Sequence, residues 1–385
     1  MMEDKKALEL YFHIPFCVRK CLYCDFLSGP YGDADREAYM KALFVEARER
    51  AADCSDYRIT SIFIGGGTPS VAEESAISKL MDIIRECYYT DSDMEVTIEV
   101  NPGTVNADKL RAYRAAGINR LSIGLQSANN RELQTLGRIH TYDDFLETYS
   151  MAREEGFTNI NVDIMSALPG QTMESYTDTL EKVLELSPEH ISAYSLIVEE
   201  GTPFFGQYGQ GSDLLPDEDT EREMYKQTAE ILASKGYKRY EISNYATEGM
   251  ECRHNTGYWN RTAYLGLGIG AASMMNNCRF TNGPDFRAYI SNPLGQRGEV
   301  TELSLQEQME ETMYLGLRMT AGVPAEDFRR IFGRDMEQVY GEVIRWGIGE
   351  GLLQYKEISG MVGRSLALTD RGLDVSNYVM ARFLF

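Results

Sequence analysis

Strand-like and helix-like segments alternate from the start of this 385-residue chain to about residue 200, and no other feature restricts its fold as strongly. Six short apolar segments predict strands, and segments with a helical spacing of apolar residues lie between them. The predicted strands cover residues 8–14, 61–64, 94–100, 120–124, 159–164 and 190–196. Six such units in a row predict a parallel α/β sheet with crossover helices, closed as an open or partial (β/α)6 barrel.

The rest of the chain departs from this pattern in two steps, which predict two further domains after a first domain of residues 1–235. Residues 236–300 contain a predicted strand at 237–242 and a glycine-rich stretch at 264–270. Residues 301–385 show three helical patterns, then a two-stranded ribbon at 352–358 and 364–369, and a last helix. We therefore expect a mainly helical, winged-helix-like C-terminal domain that packs on the barrel or acts as a lid.

Charge and composition exclude several classes of protein. A net charge of −21 repels phosphate backbones, so we expect no nucleic-acid partner. With 43% hydrophobic and 25% charged residues, the chain is not wholly disordered. No apolar stretch is long enough to cross a bilayer, and residues 1–6 lack the apolar core of a secretory signal. We expect a cytoplasmic protein, with peripheral contact to a membrane and the oligomeric state left open.

Polar or glycine-rich segments mark the ends of five predicted strands. A cysteine cluster follows the first strand, and the sequence Gly-Gly-Gly-Thr-Pro at 65–69 follows the second. Glu99, Gln126 and Asp163 lie at or near the ends of the next three. A single carboxylate at a strand end is more often a structural cap than a ligand. Because five strand ends agree, we expect a functional site at the carboxyl rim of the sheet.

The cysteine cluster consists of Cys17, Cys21 and Cys24, spaced C-x3-C-x2-C. Three thiolates brought onto one centre select zinc or an iron–sulfur cluster. A zinc site requires a fourth protein ligand, such as His13 or a distant cysteine, and a ferredoxin-type cluster requires a fourth cysteine. The next cysteine along the chain is Cys54, at the end of a predicted helix. The spacing therefore favours a cluster held by three cysteines, with one iron open for reaction.

Several motifs around these cysteines resemble the radical S-adenosylmethionine (SAM) superfamily. The sequence from Tyr11 to Cys17, followed by Cys21-Leu22-Tyr23-Cys24, carries the resemblance at the cluster. It extends over nearly the whole chain through GGGTPS at 65–70, IEVNPG at 98–103, SIGLQS at 122–127, LGRIH at 136–140 and LPGQ at 168–171. Within the superfamily, it narrows to the branch of oxygen-independent coproporphyrinogen III oxidase and the heme chaperone HemW.

The resemblance implies a 4Fe-4S cluster on the three cysteines, whose open iron is chelated by the amino and carboxylate groups of SAM. One electron then cleaves the sulfonium and releases a 5′-deoxyadenosyl radical. The implied SAM-binding residues are Tyr11, Tyr23, Gly66, Gly67, Thr68, Glu99, Gln126, Arg138 and Asp163.

Each of these residue types suits its implied role at SAM. The glycines allow backbone amides to approach the methionine end, and Arg138 pairs with the carboxylate in a fork. Glu99 accepts from the amino group or the ribose, and Gln126 and Asp163 bind the ribose. The two tyrosines cover the adenine side.

A second motif, His254-Asn255-x-x-Tyr258-Trp259, resembles the HNxxYW motif of HemW-like heme chaperones. The resemblance implies that His254 ligates heme iron and that Tyr258 and Trp259 offer flat faces to the porphyrin. Cys252 is a second candidate ligand. The alternative from the residues alone is a buried histidine, hydrogen-bonded in the core beside two packing aromatic residues.

The motifs favour a heme chaperone over the oxidase of the same branch. The oxidase has a further cysteine two positions after the third cluster cysteine, where this chain has Phe26. We therefore expect a protein that binds heme and a SAM-ligated cluster, delivers heme to acceptor proteins, and lacks coproporphyrinogen dehydrogenase activity. Respiratory proteins and bacterioferritin are the acceptors that the resemblance implies. The alternatives are oxygen-independent coproporphyrinogen III dehydrogenase or another anaerobic tetrapyrrole-modifying radical SAM enzyme.

Overall fold

The computed structural model describes residues 5–209, 212–357 and 363–384. Its strands are β1 (Lys6–Ile14), β2 (Tyr57–Gly66), β3 (Thr90–Val100), β4 (Arg120–Gln126), β5 (Ile160–Ser166), β6 (His190–Ser195), β7 (Lys238–Arg239), β8 (Asn244–Ala246), β9 (Ala263–Leu267), β10 (Ala272–Met275), β11 (Cys278–Thr281), β12 (Thr301–Glu302), β13 (Val323–Pro324), β14 (Leu353–Glu357) and β15 (Arg364–Leu368). Within the described residues, β1 to β12 form one large sheet in the order β12-β11-β10-β9-β1-β2-β3-β4-β5-β6-β8-β7. The last three form a small sheet in the order β13-β15-β14.

Helices connect the strands and cover the sheet. They are α1 (Asp33–Arg50), α2 (Glu74–Cys87), α3 (Ala107–Ala115), α4 (Asn130–Thr135), α5 (Tyr142–Glu154), α6 (Met173–Glu185), α7 (Pro203–Tyr208), α8 (Glu218–Ser234), α9 (Arg253–Trp259), α10 (Phe286–Ser291), α11 (Leu305–Gly316), α12 (Ala325–Phe332), α13 (Met336–Gly349), α14 (Asp370–Asp374) and α15 (Ser376–Met380). None of these helices is both long and apolar enough to span a membrane, over the part of the chain that the structure describes.

The six predicted strands are confirmed as β1 to β6, and each pairs in parallel with the next. The barrel is partial, as predicted. At one side β1 also pairs in parallel with β9, and at the other side β6 pairs antiparallel with β8. Both pairings extend the sheet outward, so that β1 and β6 do not meet.

Side chains along β1 alternate between the two faces of the sheet, so that one face packs in the core and the other lines the inside of the partial barrel. Leu8, Leu10 and Phe12 are fully buried in one apolar cluster with residues of α1 and α2. Successive side chains of a strand point to opposite faces, so Glu9 and Tyr11 face the concave side of the sheet. The outer face therefore supplies packing energy, and the inner face is free to carry polar groups.

The C-terminal region builds its own apolar cluster, which includes Met313, Phe328 and Leu366. The three predicted helices and the ribbon are present as α11 to α13, β14 and β15. The two-residue strand β13 is additional, and Ile358, the end of the predicted ribbon strand, lies outside the described residues. This region is mainly helical, as expected.

Two predicted elements were wrong in detail. The strand expected at 237–242 is only Lys238–Arg239, because the chain turns before β8. At this turn, Glu241 Oε1 accepts hydrogen bonds from Ser243 N at 2.8 Å and from the Asn244 side chain at 2.6 Å. The last predicted helix is broken into α14 and α15 at Val375, whose ψ of 34° is not helical.

We predict that Leu10→Ala destabilises the protein by about 2–5 kcal/mol, because it leaves a cavity at a fully buried position of the central strand. Urea unfolding monitored by circular dichroism measures the change. Val45→Ala on α1, where the side chain is 47% exposed, is the control and should change stability by less than about 0.5 kcal/mol. Equal effects of the two substitutions would contradict the assigned core.

Candidate functional site

A cavity of about 320 Å³ lies where the strands of the partial barrel end. Because the six strands are parallel, their carboxyl ends meet at one rim. The three cluster cysteines and eight of the nine predicted SAM residues line this cavity, namely Cys17, Cys21, Cys24, Tyr23, Gly66, Gly67, Thr68, Glu99, Gln126, Arg138 and Asp163. The structure thus brings together side chains from loops that are widely separated in the sequence.

Backbone hydrogen bonds close the cysteine loop at its base. Cys17 N donates to Gly29 O, and Gly29 N donates to Pro15 O, each at 2.9 Å. Farther along the loop, Leu22 N donates to Leu136 O at 3.0 Å. These contacts fix both ends and the middle of the loop, whose three cysteines line the cavity.

The residues present fit an iron–sulfur cluster held by three thiolates. Polar donors approach two of the sulfurs, since Arg138 Nη1 lies 3.6 Å from Cys21 Sγ and Thr68 Oγ1 lies 3.7 Å from Cys17 Sγ. A side chain at position 67 would intrude, because a Cβ built on Gly67 would stand 3.1 Å from Cys17 Sγ. Burial raises the pKa of Cys24, so metal binding must replace a proton there.

The geometry argues against the zinc alternative. The cavity lining contains no histidine and no fourth cysteine among the described residues. A single zinc ion requires four such donors at about 2.0–2.3 Å, whereas a larger cluster spans more widely placed thiolates.

Glu99 enters the cavity from the end of β3. Its Oε2 accepts a hydrogen bond from Gly66 N at 3.0 Å. Loss of solvation raises the pKa of Glu99 to about 8, and the nearby carboxylate of Asp163 adds to this rise. The approach requires glycines: a Cβ on Gly65 would lie 3.1 Å from the Glu99 carboxyl carbon, and Gly66 adopts φ +117°, where a Cβ would meet the His13 ring.

Arg138 is buried beside the cysteines with its guanidinium partly engaged. Nη2 donates to Asn101 Oδ1 at 2.9 Å and to Gly124 O at 2.5 Å. Its Nε is buried with no partner among the described residues. A buried cation with an unused donor suits an anionic ligand group such as a carboxylate. Asn101 and Gly124 line the cavity as well, and sequence reasoning did not select them although both fall within the motifs.

The ends of β4, β5 and β6 form the opposite wall. Gln126 has a left-handed backbone with φ 73°, and its Oε1 accepts from Tyr194 Oη at 3.1 Å. Asp163 accepts from Ser122 Oγ at 3.2 Å and from Asn161 Nδ2 at 2.7 Å, yet burial still raises its pKa. Tyr194 is a further lining residue that the sequence pattern did not single out.

Tyr11 is the one predicted SAM residue that the structure places elsewhere. It lies three residues before the end of β1. At about 3.3 Å per strand residue, this places it about 10 Å from the rim. Its hydroxyl is 3.0 Å from His13 Nδ1. Its ring lines a second cavity of about 360 Å³ together with Tyr258 and Trp259.

The predicted heme residues fall into two environments. Tyr258 and Trp259 reach the second cavity. His254 is only 1% exposed, with Nδ1 2.9 Å from Ser61 Oγ and Nε2 3.0 Å from Tyr258 Oη. Burial lowers its pKa to about 3, so the imidazole is neutral. Cys252 is fully buried and its thiol donates to Glu95 Oε1 at 3.5 Å.

Two residues that the sequence did not single out hold this segment in place. Glu95 on β3 accepts hydrogen bonds from Arg253 N at 3.1 Å and His254 N at 3.2 Å, and so caps α9 from outside the helix. Arg120 on β4 is buried, and its positive charge lies near Cys252, Glu95 and Asp163. The interior of the barrel thus links residues 252–259 to the first cavity.

Comparison with known protein families gives matches to an N-terminal and a C-terminal part of the chain. A family model described as the radical SAM superfamily matches residues 11–183, and one described as the HemN C-terminal domain matches residues 303–375. A protein named heme chaperone HemW from Lactococcus lactis is 36% identical, over 99% of this chain and 98% of its own length. The protein of that name from Bacillus subtilis is also 36% identical, over 97% and 98%.

More distant proteins share the same organisation. A mouse protein named radical S-adenosyl methionine domain-containing protein 1, mitochondrial, is 34% identical over 95% of this chain and 83% of its own length. Among solved structures, coproporphyrinogen III oxidase (HemN) from Escherichia coli superposes with a TM-score of 0.84 at 24% identity. The superposition covers 99% of this chain and 90% of that protein, and it shows a common fold.

We predict that Glu99→Gln flattens the pH dependence of stability in cluster-free protein. The folded-state pKa of Glu99, about 8, is above its unfolded value near 4.5, so its favourable contribution is full below pH 4.5 and lost as pH rises through 8. The unfolding free energy of the wild type should fall by roughly 3–5 kcal/mol relative to the variant over that range. Parallel curves from urea titrations at pH 5 to 8.5 would contradict this.

Proposed function

The chain belongs to the HemW family of radical SAM proteins, and we propose that it is a heme chaperone. It binds heme and a SAM-ligated 4Fe-4S cluster, and it delivers the heme to acceptor proteins. The observation that carries the cofactor part is the first cavity, whose lining includes Cys17, Cys21 and Cys24 but, among the described residues, no histidine and no fourth cysteine. The observation that carries the heme part is the full-length similarity to heme chaperones.

The residues of the first cavity bind and orient SAM. When bound, the cluster supplies an open iron for the methionine end of SAM and the electron that its cleavage requires. Arg138 pairs with the SAM carboxylate through the donor that lacks a protein partner. Glu99 would accept a hydrogen bond from the SAM amino group or the ribose, and the positive charge of the SAM sulfonium favours the ionised form of this carboxyl. Asp163 and Gln126 hold the ribose from the opposite wall.

Residues 252–259, which we call the heme segment, offer an aromatic surface to a flat ligand. Tyr258 and Trp259 supply this wall at the second cavity. Ligation of heme iron by His254 or Cys252, which the sequence predicts, requires α9 to leave its contacts with Ser61 and Glu95. In the described conformation, His254 instead hydrogen-bonds to the hydroxyl of Tyr258 through Nε2.

The three predicted segments divide this work. Residues 1–235 hold the SAM site, and residues 236–300 hold the heme segment. Residues 301–385 contribute Tyr314 and Leu315 of α11 to the wall of the second cavity. Heme-acceptor respiratory proteins and bacterioferritin are the receiving partners. A peripheral contact with the membrane brings the chaperone to its respiratory acceptors.

We predict that anaerobic reconstitution gives about four irons and four sulfides per chain. Cys17→Ser, Cys21→Ser and Cys24→Ser should each lose the cluster, because three thiolates are the only protein ligands. Cys87→Ser, on α2 outside the cavity, is the matched control and should keep it. Iron and sulfide analysis with electron paramagnetic resonance measures the outcome. Zinc in place of iron, or full loading of a variant, would overturn the cluster assignment.

Heme transfer and radical chemistry can be separated in one set of anaerobic assays. We expect saturable heme binding and transfer to apo-bacterioferritin, followed by the change in Soret absorbance. With reductant, SAM and coproporphyrinogen III, we expect no protoporphyrinogen. Formation of protoporphyrinogen would identify a coproporphyrinogen dehydrogenase instead. Loss of heme with a new linear or methylated product would identify a tetrapyrrole-modifying enzyme.

A further inference from the structure

The second cavity has a lining that is unusual in its aromatic content. Four tyrosines and one tryptophan contribute to its wall, and we call it the aromatic cavity; its residues are Tyr11, Tyr258, Trp259, Tyr264, Ala272, Arg279, Tyr314 and Leu315. The rings of Tyr258 and Tyr264 meet edge to face, with centroids 4.6 Å apart. The lining residues are half-buried or exposed, so the cavity is open to solvent. Such a surface suits a flat apolar ligand that must enter and leave.

A positive charge stands at the edge of the aromatic cavity. Arg279 Nε donates to Glu311 Oε1 at 2.6 Å, and Arg261 Nε donates to Glu311 Oε2 at 3.0 Å. Two guanidinium groups thus share one carboxylate, which leaves a net charge of +1 in a chain whose net charge is −21. The charge at this edge favours an anionic ligand, against the general repulsion of the acidic surface.

Arg279 also has donors to spare. Its Nη1 donates to Tyr264 Oη at 2.8 Å, whereas Nη2 has no hydrogen-bond partner among the described residues. The indole Nε1 of Trp259 is buried without a partner in the same part of the chain. A ligand with acceptor oxygens could use donors of this kind.

These observations converge on one ligand, and the inference rests on the proposed function. With the porphyrin ring of heme in the aromatic cavity, as the proposed function has it, we propose that Arg279 receives a propionate carboxylate. The tyrosine and tryptophan rings contact the macrocycle, and the guanidinium Nη2 group pairs with the carboxylate. Neither His254 nor Cys252 lines this cavity in the described conformation, in which His254 Nε2 lies 3.0 Å from Tyr258 Oη.

Heme and heme dimethyl ester separate the two parts of this recognition, because the ester keeps the ring and lacks the anionic carboxylates. We expect the wild type to bind heme at least tenfold more tightly than the ester. Arg279→Gln should weaken heme binding about tenfold and remove the difference between the two ligands. This variant keeps the fold, since Glu311 retains its pair with Arg261. Absorbance titration and circular dichroism measure both properties.

Three further variants make the test specific. Arg279→Lys keeps the charge and should retain part of the preference for heme. Tyr314→Ala removes part of the aromatic wall and should weaken heme and ester equally. Arg287→Gln, which removes an exposed arginine paired with Asp35 on the surface, should behave as the wild type.

The outcomes separate a failure of the proposed Arg279 site from a failure of the proposed chaperone function. A wild-type protein that binds heme, together with an Arg279→Gln variant that still prefers heme to its ester tenfold, overturns the site. Equal binding of heme and ester by the wild type also overturns it. A wild type that binds neither ligand overturns the proposed chaperone function itself.

Discussion

The parallel pairing of six consecutive strands is the constraint on which the rest of this structure depends. It brings the loop after β1, the glycine turn after β2 and the ends of β3 to β5 to one rim, so residues as far apart as Cys17 and Asp163 line one cavity. Burial there disfavours the ionised form of the carboxyl groups, and it raises the pKa values of Glu99 and Asp163. Groups held in an unfavourable state of ionisation are typical of sites that bind a charged ligand.

The same barrel also explains why the heme segment is ordered. Helix α9 has no side-chain cap of its own at Cys252, and the carboxylate of Glu95, supplied by β3, takes over this role. Arg120 lies buried between this carboxylate and Asp163. A buried charge of this size is tolerated only where opposite charges surround it. The polar interior is therefore the structural connection between the two cavities, and its residues belong to strands that end at the SAM rim.

Sequence reasoning could select residues that the structure brings to the first cavity, because strand ends can be recognised from short patterns. Glu99 and Gln126 end strands whose apolar residues predict them, and Cys17 follows another. Tyr11 shows the limit of such patterns, since a motif gives proximity along the chain but not position along a strand, and its ring lines the second cavity. Tyr264 could not be selected from the sequence, because it lies in the wall of the aromatic cavity only through the pairing of β9 with β1 across some 250 residues, and no local periodicity encodes that pairing.

One imidazole joins the cysteine loop to the aromatic cavity. His13 is 3.0 Å from the Tyr11 hydroxyl through Nδ1, and its Nε2 is 2.8 Å from Leu27 O, at the end of the loop that carries the cysteines. Burial lowers the pKa of His13, so the ring is neutral and serves one neighbour as a donor and the other as an acceptor. Because Leu27 O can only accept, the proton sits on Nε2 and the Tyr11 hydroxyl donates to Nδ1. Two hydrogen bonds through this one ring therefore connect the loop that carries the cysteines to Tyr11 in the wall of the aromatic cavity.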